Sequence, residues 1–390
     1  MDKTKIVYCT PSLYISGGVE RVLTTKVNYL AEEAGYDIYI ILTDGKGKEP
    51  YYQLSPKIHL IYLDVNFEKL WNLPFLLKIP VYLYKQGIYK KRLKKALFEI
   101  RPNVTVSLLR REINFITSIK DGSLKIGELH VNRKNYRNFE AGDTNFMKEM
   151  FAKLWMRQLI GKLRRLDRFI VLSHEDRDYW PELSNVTVIS NPIPFETEQR
   201  SELTSRKVIA VGRFVYQKGF DLLLKAWCTV NKRHPDWELY VYGKGDKSSY
   251  QAFADQHGLT NVHLEDAVTN IVDKYRDSSI FVLSSRFEGF VMVLIEAMSC
   301  GLPPVAFECP CGPRDAITDG DDGFLVPVGD TDAMAEKICY LMEHDQERKA
   351  MGAKAGEHIQ RYNKPAIMHQ WIVLFDTLLK KKAEKDKKSV

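Results

Sequence analysis

Long hydrophobic runs, paired cysteines, clustered metal ligands and dinucleotide-type glycines are what this sequence is short of. Nowhere do about 20 consecutive apolar residues occur, the length that a bilayer-crossing helix requires. A helical membrane span is thereby excluded. The opening run Ile6-Val7-Tyr8-Cys9 is too short an apolar segment for a secretory signal and reads as a first strand. Six cysteines are scattered along the 390 residues, and only Cys309-Pro310-Cys311 forms a tight pair. Reduced thiols in a cytosolic protein are expected, not a disulfide framework. No histidine stands near Cys309 and Cys311 in sequence, which leaves a tetrahedral zinc site short of ligands. No G-x-G-x-x-G follows the first strand, which argues against a dinucleotide-binding domain. There is no repeat of solenoid length.

What is present is ordinary in bulk and uneven in charge. Hydrophobic residues make up 45% and charged residues 27%, which excludes a disordered or collagenous chain. The first 200 residues hold 32 basic and 23 acidic side chains, the remainder 25 and 27. One half is basic and the other is not. With roughly 100 to 200 residues per domain, two domains of different charge are expected.

Short β-branched runs alternate with longer amphipathic stretches throughout. The strands expected are 5–10, 36–42, 57–63, 103–108, 125–130, 168–173 and 186–190, then 207–212, 238–243, 261–265, 279–284, 304–307 and 323–326. Parallel strands need a crossover, and a helix is the usual one, so this rhythm predicts an α/β protein with two doubly wound Rossmann-like domains. Asn191-Pro192-Ile193-Pro194 and the polar stretch after it mark the boundary. The expected division is therefore 1–192 and 193–363, facing across a cleft. The segment 365–379 is apolar at helical spacing, and 381–390 reads as a solvated basic tail.

Three passages carry chemistry. After the first strand, Gly17-Gly18 opens a helix, where backbone amides and the helix dipole suit an anion; a plain connecting turn reads as well. Gly212-Arg213, four residues and then Lys218-Gly219 again lead from strand to helix. Arg213 can fork two phosphate oxygens while Lys218 adds a mobile point charge, although solvated surface cations fit the same pattern. In the third passage Glu288 sits on a loop before a helix starting near Val291, and Glu296 lies on that helix. At about 1.5 Å rise per residue, the two carboxylates can hold opposite ends of an elongated ligand. A nucleotide sugar fits: Glu288 takes sugar hydroxyls, the amides of Phe290, Val291 and Met292 take phosphate oxygens, and Glu296 takes the ribose diol. The dull alternative makes Glu288 a dipole partner and Glu296 an exposed helix position.

The Glu-x7-Glu passage with Gly289-Phe290 and Glu296-Ala297-Met298-Ser299-Cys300-Gly301, taken with Gly212-Arg213-x4-Lys218-Gly219 and Gly17-Gly18, resembles glycosyltransferase family 4, the retaining enzymes of GT-B fold. The likeness is strongest over 207–328 and lies close to bacterial members that build surface polysaccharides and lipid-linked oligosaccharides. It implies that Arg213 and Lys218 bind the donor diphosphate, that Glu288 orients the sugar and that Glu296 binds ribose. Gly17 and Gly18 would let the first domain approach the phosphates. A helix at 364–380 would cross back to the first domain. His130, at the end of the strand 125–128, would meet the region of the sugar's primary hydroxyl. The base contacts fall near Ala267 and Val268, where 263–268 departs from the family's usual glycine. UDP is the nucleotide that the subfamily implies, and front-face transfer without a metal is the mechanism that it implies. Three Asp-x-Asp triplets, at 176–178, 319–321 and 330–332, read as helix starts and a turn instead of metal ligands.

Residues 71–95 and 153–168 interleave Lys and Arg with Leu, Ile, Phe, Tyr and Trp. Such cationic amphipathic stretches suit either an anionic lipid surface or a solvated helix face. The expectation is a cytoplasmic protein attached peripherally to the inner face of the membrane, with a glycan or lipid-linked acceptor. Two other classes stay open: a GT-B-like nucleotide-sugar epimerase, and a non-catalytic basic nucleic-acid binder. The second leaves the glutamates and phosphate loops unexplained, and no nucleic-acid motif is present.

Overall fold

The computed structural model describes residues 3–133, 146–197 and 199–388. The chain divides into two units. The first comprises Met1–Leu172, Asp176–Pro192 and Pro365–Val390; the second comprises Ser173–Glu175 and Ile193–Lys364.

In chain order the elements are β1 Lys5–Thr10, α1 Gly18–Glu32, β2 Asp37–Leu42, β3 His59–Tyr62, α2 Phe75–Ile100, β4 Val104–Ser107, β5 Leu124–Glu128, α3 Phe146–Leu163, β6 Arg168–Val171, α4 His174–Asp178 and β7 Val186–Val188. They continue with β8 Lys207–Val211, α5 Phe220–Arg233, β9 Glu238–Gly243, α6 Ser248–Gln256, β10 Val262–Asp266, α7 Ile271–Arg276, β11 Ile280–Leu283, α8 Met292–Ser299, β12 Pro304–Phe307, α9 Pro313–Ala316, β13 Phe324–Val326, α10 Thr331–Glu343, α11 Asp345–His358 and α12 Lys364–Lys388.

The strands form a seven-stranded sheet, β3-β2-β1-β4-β5-β6-β7, and a six-stranded sheet, β10-β9-β8-β11-β12-β13. Every pairing within them is parallel. Two Rossmann-like α/β units are thus what the alternating pattern produces. The central strands are covered on both faces, so β4 and β11 read as continuous buried runs and not as alternating ones. In each sheet the order reverses beside the first strand of the unit, between β1 and β4 and between β8 and β11. Loops leaving the carboxyl ends of those strands diverge and open a crevice for ligands.

Helix α12 belongs to the first unit. Its buried residues Ile367, Met368, Trp371, Phe375 and Leu378 recur at helical spacing, and Phe375 meets Tyr36 edge-on with centroids 6.0 Å apart. The expected tail at 381–390 is instead a continuation of this helix as far as Lys388, still largely exposed. Lys, Ala and Glu are good helix formers, and a solvated polar end does not stop a helix that is already nucleated.

Candidate functional site

The second unit brings together two loops that lie about 70 residues apart in sequence. The β8–α5 loop passes through a 3₁₀ turn, Tyr216–Lys218, and reaches Gly219 with φ +62°. A Cβ on Gly219 would lie 2.0 Å from the Ser284 carbonyl oxygen at the end of β11, so only glycine allows this approach. The two loops are then laced together. The Ser284 hydroxyl donates to the Lys218 carbonyl at 2.9 Å, the Arg286 amide donates to Gln217 O at 2.8 Å, and Gln217 Nε2 donates to Phe287 O at 2.9 Å. Arg286 also forks the Asp221 carboxylate at 2.8 and 2.6 Å, which holds that carboxyl below its usual range, and stacks on Tyr216 at 4.0 Å.

Glu288 and Lys218 meet on this frame. Lys218 Nζ donates to Glu288 Oε1 at 2.6 Å, the Ser285 hydroxyl donates to the same oxygen at 2.6 Å, and Gln217 Nε2 approaches Oε2 at 3.4 Å. Glu288 is 6% exposed and its amide donates to Pro310 O at 2.6 Å, so the β12–α9 loop fixes it from a third side. Cys309 of that loop is buried. Its thiol is pushed well up by burial and further by the Glu288 charge, although Lys218 opposes this. Arg213, at the carboxyl end of β8, is exposed and makes no ion pair among the described residues.

Gly289, Phe290 and Val291 lead from Glu288 into α8, and Val291 is buried. The Met292 amide already donates to Phe290 O at 3.1 Å, so it is the least available of the three amides expected to receive phosphate. Glu296 is 3% exposed, not the surface helix position that the dull alternative supposed. The hydroxyl of fully buried Tyr275 reaches its Oε2 at 3.3 Å. Ala267 and Val268 follow β10 at the sheet edge, Ala267 exposed and Val268 half-buried. Asp330 caps α10 through the Ala333 amide at 2.9 Å, Asp319 accepts from the Leu325 amide at 2.9 Å, and Asp176 accepts from the Arg133 amide at 2.8 Å. An aspartate of each triplet thus accepts a backbone amide, locally for Asp319 and Asp330 and from 43 residues away for Asp176.

In the first unit Gly17 is the N-cap of α1 and Gly18 its first residue. A side chain on Gly18 would meet nothing within 4 Å, whereas one on Gly17 would strike the Glu20 carboxylate at 2.1 Å. His130 follows β5, with its imidazole 6% exposed and Nε2 lying 3.2 Å from Glu128 Oε1. The other oxygen of Glu128 is bonded to Lys26 of α1. Neither Lys26 nor Glu128 was legible as a site residue: each looked like one more charge, on a helix and in a strand.

The comparisons with known proteins fit this geometry. Residues 194–358 match the family model described as "Glycosyl transferases group 1". An uncharacterized glycosyltransferase of Haemophilus influenzae is 26% identical over 383 residues, 94% of this chain and 98% of that protein. The amylovoran biosynthesis glycosyltransferase AmsD of Erwinia amylovora is 31% identical over 217 residues, 53% of this chain and 61% of its own length. Among solved structures, a variant of S. aureus TarM in complex with fondaparinux, alpha-GlcNAc-glycerol and UDP superposes with a TM-score of 0.74 at 18% identity, covering 95% of this chain and 99% of that one. The fold is that of the GT-B proteins, and the family match and relatives support a glycosyltransferase.

Proposed function

We propose that this chain is a retaining, metal-independent glycosyltransferase of family 4 type. It moves a hexose or N-acetylhexosamine from a nucleotide diphosphate sugar, UDP-linked by preference, to a glycan or lipid-linked saccharide in cell-surface polysaccharide synthesis. One observation carries this reading above the others. Lys218 and Glu288 meet at 2.6 Å where the order of the second sheet reverses, with Arg213 exposed at the same strand end and α8 starting directly afterwards.

The division of labour follows from charge. Arg213, Lys218 and the amides ahead of α8 suit the diphosphate, Glu288 suits sugar hydroxyls, and Glu296 suits a ribose diol. Ala267 and Val268 are assigned to the base, and Gly17, Gly18 and His130 are the first unit's contribution. In the reaction, the bond from the anomeric carbon to the diphosphate oxygen breaks and the acceptor oxygen bonds that carbon on the same face. The acceptor's proton passes to the departing phosphate oxygen. The cations and helix amides stabilise the charge that collects on the diphosphate. Glu288, held by Lys218 and Ser285, is a binding group here and not a nucleophile.

A thermal-shift screen of UDP-, GDP- and ADP-sugars is the direct test. At least one should raise the melting temperature of the wild type, and Glu296→Ala should blunt that shift. If no sugar nucleotide stabilises the protein, the reading fails. Transfer should persist in EDTA; loss that manganese restores would overturn metal independence. Consumption of donor without acceptor would favour the epimerase.

The first unit is assigned to the acceptor and to anionic lipid. Leu77, Ile79, Leu83 and Tyr84 of α2 and Met150 and Leu154 of α3 are all exposed, and a cavity of about 330 Å³ lies among Phe67, Leu70, Lys78, Ile79, Tyr82 and Arg111. Apolar side chains beside cations suit the boundary between headgroups and acyl chains. Among the described residues no helix is long and apolar enough to cross a membrane.

A further inference from the structure

Two of the most completely buried charges of the first unit lie under His130. Lys26 is 1% exposed, Glu128 is 1% exposed, and they are bonded to one another although 102 residues apart. Burying a lysine on an amphipathic helix is costly unless its charge is fully matched. Here the match has three parts. The ammonium is paired with Glu128 Oε2, lies 4.2 Å from the centroid of the Trp371 ring of α12, and lies 5.1 Å from that of Tyr8 of β1. Four elements, α1, β1, β5 and α12, therefore fix the position of one carboxylate.

The second oxygen of that carboxylate faces His130. Glu128 Oε1 stands 3.2 Å from His130 Nε2 but off the line that a hydrogen bond requires, and this buried nitrogen has no hydrogen-bond partner among the described residues. At 3.2 Å it is nevertheless within hydrogen-bonding distance, and hydrogen bonds that serve catalysis are commonly long or bent before substrate arrives. A carboxylate accepts only, so the nitrogen facing it must carry the proton. Lys26 supplies the other half of the device. With Lys26 beside Glu128, the opposite charges of the pair offset one another.

We infer that Glu128, neutralised by Lys26, is the positioning residue for His130: it holds the imidazole as the Nε2–H tautomer and leaves Nδ1 as the acceptor for a substrate hydroxyl. This rests on the functional reading above, in which His130 meets the transferred sugar. Nothing in that reading requires Glu128 or Lys26, whose spacing in sequence gives no hint of a partnership. The arrangement is the orienting carboxylate of an acid–histidine pair, with a buried lysine as the third member.

The test uses the full chain labelled with ¹⁵N at histidine, with the His130 signal assigned by loss in His130→Asn. Long-range ¹⁵N–¹H spectra of the wild type should show His130 fixed as the Nε2–H tautomer. Glu128→Leu alone strands a buried ammonium and risks the fold, so the informative variant is Lys26→Met with Glu128→Leu, which removes both charges and keeps the volume. In that variant the His130 signal should become a tautomer mixture. Its kcat for sugar transfer should fall about tenfold while KM for the donor changes little. The same two substitutions should cost nothing further in a His130→Ala background, whereas a merely structural pair would cost as much there. A wild-type His130 that is Nδ1–H or averaged, or a double variant with an unchanged spectrum, overturns the inference. The spectra need no substrate, so a protein that transfers no sugar would sink the functional reading while leaving this result to be judged by the tautomer alone.

Discussion

Glu288 illustrates how little freedom a polar residue at this site retains. Three side chains converge on its carboxylate and two backbone hydrogen bonds tie it to the neighbouring loop, so its orientation is set before any ligand arrives. Glu288→Gln preserves the shape but removes the charge that fixes Lys218. The expected outcome is a fall of about 10²-fold in kcat/KM for transfer with the melting temperature nearly unchanged, read by steady-state kinetics beside a thermal melt. Glu128 makes a prediction of a different kind. Burial by itself opposes ionisation of this carboxyl, but Lys26 and His130 together outweigh it and hold the carboxyl down at about 2. The unfolded chain takes up the proton at the ordinary glutamate value, near 4.3, so the stabilisation is fully present above that pH. It is lost as pH falls towards about 2. Melting temperatures between pH 5 and 2 should drop more steeply for the wild type than for Lys26→Met with Glu128→Leu; parallel curves would contradict the assignment.

At the level of elements, the loops after β8 and β11 behave as one piece, and Gly219 is where they are joined. Alanine there would have to keep φ at +62° and place a methyl 2.0 Å from Ser284 O, which the backbone cannot accommodate without shifting. Gly219→Ala should lose roughly 2 kcal/mol or more in chemical denaturation. It should also weaken sugar-nucleotide binding, because the Lys218 and Glu288 loops separate. Retained donor affinity would show that the two loops bind independently. The glycine was visible in the sequence as the end of a phosphate-loop pattern, and the helix after it was legible from its apolar spacing. That its missing Cβ faces the end of β11, three strands later, was not, because nothing local in the sequence encodes which strand lies alongside.

Over the whole molecule the basic first half resolves into cations of two kinds. Lys85 donates to the Val65 and Asn66 carbonyls, and Arg92 donates to those of Leu63 and Asp64, so these two fasten α2 to the end of β3. Lys162 and Arg164 are likewise engaged, with Asn114 Oδ1 and with the Glu182 carbonyl. Lys90, Lys91, Lys94 and Lys95 of α2 and Lys153 and Arg157 of α3 are exposed. If anionic lipid is the partner of this surface, neutralising the exposed set should reduce sedimentation with phosphatidylserine-containing vesicles, and added salt should do the same within a Debye length of about 8 Å at physiological strength. Lys85→Met and Arg92→Met should instead lower stability and leave vesicle binding nearly intact. Absence of binding at low salt would remove the membrane from the account.

The amino-acid order by itself determined the alternation of strand and helix, the division into two parallel-sheet units, and the loops that carry Arg213, Lys218, Glu288 and Glu296. These follow from periodicity and from glycine placement, both of which are local in the chain. Tertiary structure decided what each charge faces. It closed Lys218 onto Glu288, buried Glu296 beside Tyr275, tied Lys85 and Arg92 to backbone carbonyls, and joined Lys26 to Glu128 beneath His130. The reason is physical: whether a charged side chain is solvated, paired or buried depends on neighbours brought from distant parts of the chain. For the pair beneath His130 those neighbours are 102 residues apart, and a pattern of hydrophobic spacing holds no information about them.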